Sequence, residues 1–444
     1  MNSRVPDFDN STKEKEKYFE YSNYLWANRY SILHLDTIVI IVSFLLNIIV
    51  SFYGIVSDRQ AFSLNKVFWI FNLLFLSLVP LGQFLAGAFP WDRTFSNSTI
   101  LTANGLILLC QIVYVVVREK SMKGFSEKPE ENGVPNIRIT PLLLLYLSAC
   151  LLMIAGSNGG RFWERNNGIS IENGTLQLLT DKALRGICLF GFLSSIYLWQ
   201  EKKMTTRILI LLLLIGFIAN FPTAIPRYWL ATFYLGALLI FFRKLLMRQR
   251  YLFSTALVTA SVFLFPLLTV LRYSSKKISS KFSSVQDVFS FSFRGGDFDA
   301  YSSLCSTIDY VQQHGITWGR QLATVVLFFI PRSVWPGKSV GSGALVNRLE
   351  HSDFTNFSSP YIAEGYINFG IIGSLVFFVL LAWLIARYDD WYWNGSRKNF
   401  NSLIYPAATG MLFFMLRGDL LSSFAYSVGI YFSGWLCYKI CQRK

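Results

Sequence analysis

Four arginines, Arg227, Arg294, Arg332 and Arg417, stand at the ends of apolar segments or in one long polar stretch of this chain. A guanidinium keeps its charge at physiological pH, and its planar fork suits phosphate oxygens. Arginines gathered at one membrane face would bind an anionic, lipid-linked substrate. Acidic and imidazole groups capable of moving a proton are interleaved with them: Asp297 and Asp299 in FRGGDFD, Glu364 in YIAEGYINFG, and His314 and His351. Glu364, Asp297 and His351 are the candidate proton acceptors.

Each group also has a plainer reading. Arg227 follows Pro226 and opens an apolar run, so it is either an anion ligand at a helix N-terminus or an arginine snorkelling to the interface. Asp297 and Asp299 make a DxD, a spacing that holds a divalent cation in nucleotide-sugar transferases. No nucleotide sugar is available outside a cell, so no metal is expected. An aspartate orienting Arg294 or accepting a proton is preferred to a metal ligand, and a solvated Gly295-Gly296 turn stands as the plainer alternative. PRSVWPGK at 331–338 sets Arg332 and Lys338 beside an irregular backbone. Its GKS resembles a phosphate loop, but that motif needs glycine where Arg332 stands. Glu364 lies where the polar stretch meets an apolar run, a costly position for a carboxylate without a partner, and an arginine is the partner expected. Arg417-Gly418-Asp419 closes another apolar run. Lone loop histidines such as His314 and His351 are more often inert than catalytic.

The elements that must position these groups are apolar helices. The chain has 444 residues, 53% hydrophobic and 15% charged, with mean hydropathy +0.40. Soluble domains carry about 25% charged residues. The expected architecture is all-α and polytopic, with about eleven (10–12) spans of bilayer length. They fall near 33–55, 67–89, 99–117, 141–156, 183–199, 208–225, 228–242, 251–271, 363–386, 402–420 and 423–440. Residues 322–330 are too few to span and would be re-entrant or lie against the bundle. The whole of 1–444 reads as one membrane domain without a cleavable signal peptide. Basic loops at 118–138, 202–207, 243–250 and 397–398, and the basic C-terminus, belong on the cytoplasmic side. Alternation then puts 157–182 outside as a small loop and 272–360 outside as a long one. It also puts the N-terminus outside, although Arg4, Lys13, Lys15, Lys17 and Arg29 favour the inside. Either that tail is translocated or the number of spans before Arg118 is wrong.

The net charge of +15 is spread between apolar runs and not gathered in one soluble domain, which fits anionic lipid better than nucleic acid. Six cysteines show neither CxxC nor Cys/His ligand spacing, so neither a disulfide framework nor a zinc site is expected. No cofactor is implied.

In the order RGGDF, FFIPRSVWPGKS and IAEGYINFGIIG, bracketed by Arg227 and Arg417, the C-terminal half resembles the Wzy-type O-antigen and oligosaccharide repeat-unit polymerases. The N-terminal third matches only in hydropathy. The resemblance implies an inverting, metal-independent glycosyltransferase of the GT-C-like membrane class in the bacterial cytoplasmic (inner) membrane, with a cytoplasmic C-terminus. Its substrates would be undecaprenyl-diphosphate-linked oligosaccharides, polymerised on the outer face for surface polysaccharide. Arg227, Arg294, Arg332, Lys338 and Arg417 would hold the diphosphate. Partners would be membrane lipid and a polysaccharide chain-length regulator. A ligase of the same membrane class would bind the same donor. A flippase would favour mid-membrane charges, internal repeats and short loops, whereas this chain shows no repeat and a very long external loop.

Overall fold

The computed structural model describes residues 35–122, 136–157, 162–163, 174–264, 266–268, 285–348, 357–395 and 399–442. Among these, regular structure is helical, with one isolated bridge between Ile137 and Gln442. In chain order the main helices are α1 (Leu35–Ser57), α2 (Leu64–Leu85), α3 (Asn97–Met122), α4 (Ile139–Ala155), α5 (Gly174–Gln200), α6 (Thr206–Ala219), α7 (Arg227–Phe241) and α8 (Leu252–Thr259), with a short turn of helix at Arg243–Arg248 between the last two. They continue as α9 (Val285–Arg294), α10 (Ala300–His314), α11 (Arg320–Val326), α12 (Ser342–Arg348), α13 (Tyr361–Asn394), α14 (Phe400–Arg417) and α15 (Leu420–Cys441). Five of them, α1, α2, α3, α13 and α15, are long and apolar enough to cross a membrane, and α4, α6 and α7 are shorter apolar helices.

Contacts between distant residues define two ends of the bundle. Thr99, at the start of α3, donates to Asp309 of α10 (2.6 Å). Arg118, late in α3, meets Asp389 of α13 (3.5 Å). The helical rise from Thr99 to Arg118 is about 28 Å, close to the thickness of a bilayer core. At the Arg118 end, Asp389 accepts the Leu64 amide (2.9 Å) and so caps α2. Arg250 reaches the Asp58 carbonyl (3.2 Å), and the Arg138 amide donates to Cys441 (2.8 Å). Arg243 lies over the Tyr392 ring. Arg118, Arg138, Arg243 and Arg250, which the charge rule groups together, thus share one end. Three helices precede Met122, running alternately between the ends, so Leu35 starts at the end opposite Arg118. Residues 1–34, with the basic tail, lie outside the described residues.

Residues 272–360, expected as a long external loop, are largely helical where described. In α10, Tyr301, Leu304, Cys305 and Ile308 are fully buried. The Tyr301 hydroxyl donates to Asn104 of α3 (3.0 Å), and its ring packs on Phe44 of α1 (5.3 Å). The serines of α10 hide this burial in the sequence. Small hydroxyls bury readily when the preceding turn accepts their proton, as Thr307 does at the Ser303 carbonyl (2.7 Å). Residues 322–330 do not insert as a span; α11 lies against the bundle, with Val325 packed among Phe377 and Leu420.

The start of α13 is a hairpin. Phe369 and Gly370 break the helix, Gly370 at φ 64°, ψ −148°, a conformation open to glycine. The chain therefore doubles back: Ser374 donates to the Ile362 carbonyl (2.9 Å), and Tyr361 packs on Phe377 (5.2 Å). Glu364 sits inside this hairpin.

Candidate functional site

Four charged groups from three chain-distant segments meet at the end opposite Arg118. Tyr228 stacks on Phe414 (centroids 4.1 Å apart), which sets the first turn of α7 beside the last turn of α14. Arg227 and Arg417 are brought together by that packing. Between them comes the segment linking α9 to α10. Arg227 Nη1 donates to Asp297 Oδ1, and Ser292 donates to the other oxygen of that carboxylate. Arg417 Nη2 donates to Asp299 Oδ1 (3.0 Å) and to the Gly296 carbonyl. Ser358 also donates to Asp299 (2.8 Å). The carboxylates are nearly buried, while the Arg227 and Arg417 side chains are 25% and 30% exposed. Each aspartate therefore holds one edge of a guanidinium, and both guanidiniums remain partly exposed.

An aspartate was expected to orient Arg294 or to accept a proton; in the structure Asp297 bonds Arg227 and Asp299 bonds Arg417. Arg294 ends α9, is exposed, and has no hydrogen-bond or ion-pair partner among the described residues. Among the described residues nothing neutralises this cation beside the quartet. Each carboxylate of the DxD faces a different arginine rather than a shared point.

The strap Trp91-Asp92-Arg93 carries no sequence motif and was not anticipated. Trp91 and Asp92 have positive φ (65° and 52°). Trp91 lies so close to Gly296 that a Cβ there would come within 2.7 Å of its ring, so only glycine fits. Arg93 donates to Ser306 and Asn347 (both 2.6 Å) and lies over the Phe357 ring. A second unanticipated group flanks Arg227. Lys182 donates to Tyr228 (3.1 Å) and Asp181 (2.6 Å), and Arg185 Nε donates to Asp181 (2.9 Å). Asp181 serves two cations, so among the described residues this cluster also has an excess positive charge. The segment 174–182, expected as loop, is the first part of α5.

Glu364 is buried (1% exposed), and its partner is not an arginine. It accepts the Ser342 hydroxyl (2.6 Å) and the Leu420 amide (3.1 Å). The free amides and dipole at the α15 N-terminus supply the positive potential that an arginine was expected to give. Asp419 caps the same helix through the Ser422 amide (3.3 Å). Glu364 thereby ties α12, α13 and α15 together just behind Arg417.

Arg332 and Lys338 do not join the quartet. Arg332 donates to the Ser339 (2.9 Å) and Lys338 carbonyls, and Lys338 donates to the Phe328 (2.7 Å) and Ile330 (2.8 Å) carbonyls. They brace the 328–339 turn and line a separate cavity with His314. Partial burial, and next the Arg332 charge, hold the Lys338 ammonium below its usual range. His351 lies outside the described residues.

The quartet is formally neutral, while Arg294 and the Asp181 cluster add positive charge at the same end. Such a site suits a multiply charged oxyanion that engages the outward guanidinium edges or displaces a carboxylate from one. No protein family, curated protein or solved structure matches this chain.

Proposed function

We propose that this chain is a membrane glycosyltransferase that polymerises undecaprenyl-diphosphate-linked oligosaccharide repeat units, as its resemblance to the Wzy-type polymerases implies. The observation that carries the reading is the meeting of Arg227 and Arg417, each held by an aspartate, at one end of an apolar helical bundle. In this reading the eleven apolar segments span the cytoplasmic membrane in a GT-C-like arrangement, and the arginine end faces outward.

The acceptor hydroxyl attacks the anomeric carbon of the donor's reducing-end sugar. The bond from that carbon to the diphosphate oxygen breaks with inversion, and the diphosphate leaves with its electron pair. Arg227, Arg417 and the exposed Arg294 meet the charge that develops on it. As Arg227 turns to the diphosphate it releases Asp297, which accepts the hydroxyl proton. Glu364, enclosed by a hydroxyl and an amide, holds the helices around this site rather than taking the proton.

The test is purified protein in liposomes supplied with one synthetic lipid-linked oligosaccharide. A gel ladder spaced by one repeat unit supports polymerisation, because one substrate then serves as donor and acceptor. Unchanged or merely hydrolysed substrate rejects it.

A further inference from the structure

A cavity of about 420 Å³ opens between α10, α11, α12 and the 332–340 turn. Its size falls in the range of small-ligand sites and exceeds what a lone phosphate fills. Arg320, Arg332, Lys338, Arg348 and His314 line it, and no carboxylate does among the described residues. The cations keep donors to spare. Arg320 gives one hydrogen bond to the Gly337 carbonyl (3.1 Å), and Arg332 gives its two bonds to carbonyls. Arg348 is exposed and has no partner among the described residues. Among the described residues no carboxylate offsets these like charges, and gathering them is costly unless an anion joins them.

The remaining lining suits a sugar. His314 stacks on Tyr310 (4.9 Å, 16°) and offers a flat aromatic face. Gln321 and Ser339, joined at 2.7 Å, add buried polar atoms. The chain runs from Ser339 past Gly341, which packs directly on the Asp419 carboxylate, to Ser342 at Glu364. The cavity therefore adjoins the arginine quartet without sharing a residue with it.

We propose that this cavity is a second binding site that takes an acidic sugar of the oligosaccharide, one bearing a carboxylate or phosphate substituent. The inference rests on the glycan-transfer reading for the nature of the ligand, but its test uses binding and not turnover. Full-length protein in detergent is titrated calorimetrically with tri-galacturonate, with uncharged maltotriose and with inorganic pyrophosphate. Tri-galacturonate should bind and maltotriose should not. The double variant Arg320→Gln/Arg348→Gln should weaken tri-galacturonate by at least about tenfold, as loss of charge-assisted hydrogen bonds requires, and leave pyrophosphate unchanged. Arg227→Gln should do the reverse. If the double variant misfolds, Arg348→Gln alone, at an exposed position, should weaken tri-galacturonate in the same direction. Equal binding of charged and neutral sugars, no binding of tri-galacturonate, or insensitivity to these variants overturns the inference. So does loss of pyrophosphate binding alone, which would make the occupant a lipid diphosphate. Absence of turnover on every lipid-linked donor, with tri-galacturonate binding intact, rejects the transferase reading and leaves the acidic-sugar site standing.

Discussion

Breaking the Arg417–Asp299 pair should cost unequal amounts from its two sides. The Asp299 side chain is 3% exposed and that of Arg417 30% exposed. Arg417→Gln leaves a nearly buried carboxylate with the Ser358 hydroxyl as its remaining partner among the described residues. An unpaired buried charge of this kind costs about 3 kcal/mol. Asp299→Asn keeps an acceptor near the guanidinium and leaves a cation that water reaches, at about 1 kcal/mol. The carboxylate left behind is the source of the larger cost, so the double variant should be more stable than Arg417→Gln by roughly 1–2 kcal/mol. The assay is unfolding of purified protein in mixed micelles at rising SDS fraction, followed by tryptophan fluorescence. Additive losses in the double variant, or a larger loss for Asp299→Asn, would refute the burial argument.

Gly370→Ala should destabilise by about 1–3 kcal/mol through backbone strain alone, because only Ile316 at 3.9 Å approaches the added methyl; an unchanged SDS midpoint would remove the hairpin from the account. A cysteine replacing Val334, 74% exposed near the arginine end, should react with an impermeant thiol reagent on spheroplasts, whereas one replacing Lys203 at the other end should not. The native cysteines are buried, so background labelling should be low, and the opposite labelling pattern would invert the proposed sidedness. Transfer should persist in excess EDTA, since each DxD carboxylate is engaged by an arginine. Loss of activity restored by magnesium or manganese would make Asp297 and Asp299 metal ligands instead.

Of the eleven apolar runs expected to span, five are helices long and apolar enough to cross a membrane, and these were legible because length and composition alone mark a bilayer-length helix. The gathering of Arg227, Asp297, Asp299 and Arg417 was legible only in part. Their shared end follows from span alternation, but which aspartate serves which arginine depends on Tyr228 stacking on Phe414, a contact between residues far apart in sequence. Charge gave no warning of Glu364's partners, because a helix N-terminus supplies positive potential without a basic side chain. The burial of α10 was masked by its serines and threonine, and Trp91 and Arg93 sit in an irregular strap without period or motif. Arg332 and Lys338 looked equivalent to the other cations because sequence shows charge and not the carbonyls that occupy it.

The most direct test of the central claim is the transfer rate of Arg227→Lys and Arg417→Lys with a defined lipid-diphosphate-linked oligosaccharide, at matched amounts of folded protein. Lysine keeps the charge but lacks the fork that reaches an aspartate and a phosphate together. If these guanidiniums meet the leaving diphosphate, each variant should lose about 10²–10³ in kcat, the scale of removing a donor from a developing charge. Rates within about threefold of the unsubstituted protein for both variants would contradict the account, because no interaction specific to the transition state would have been lost.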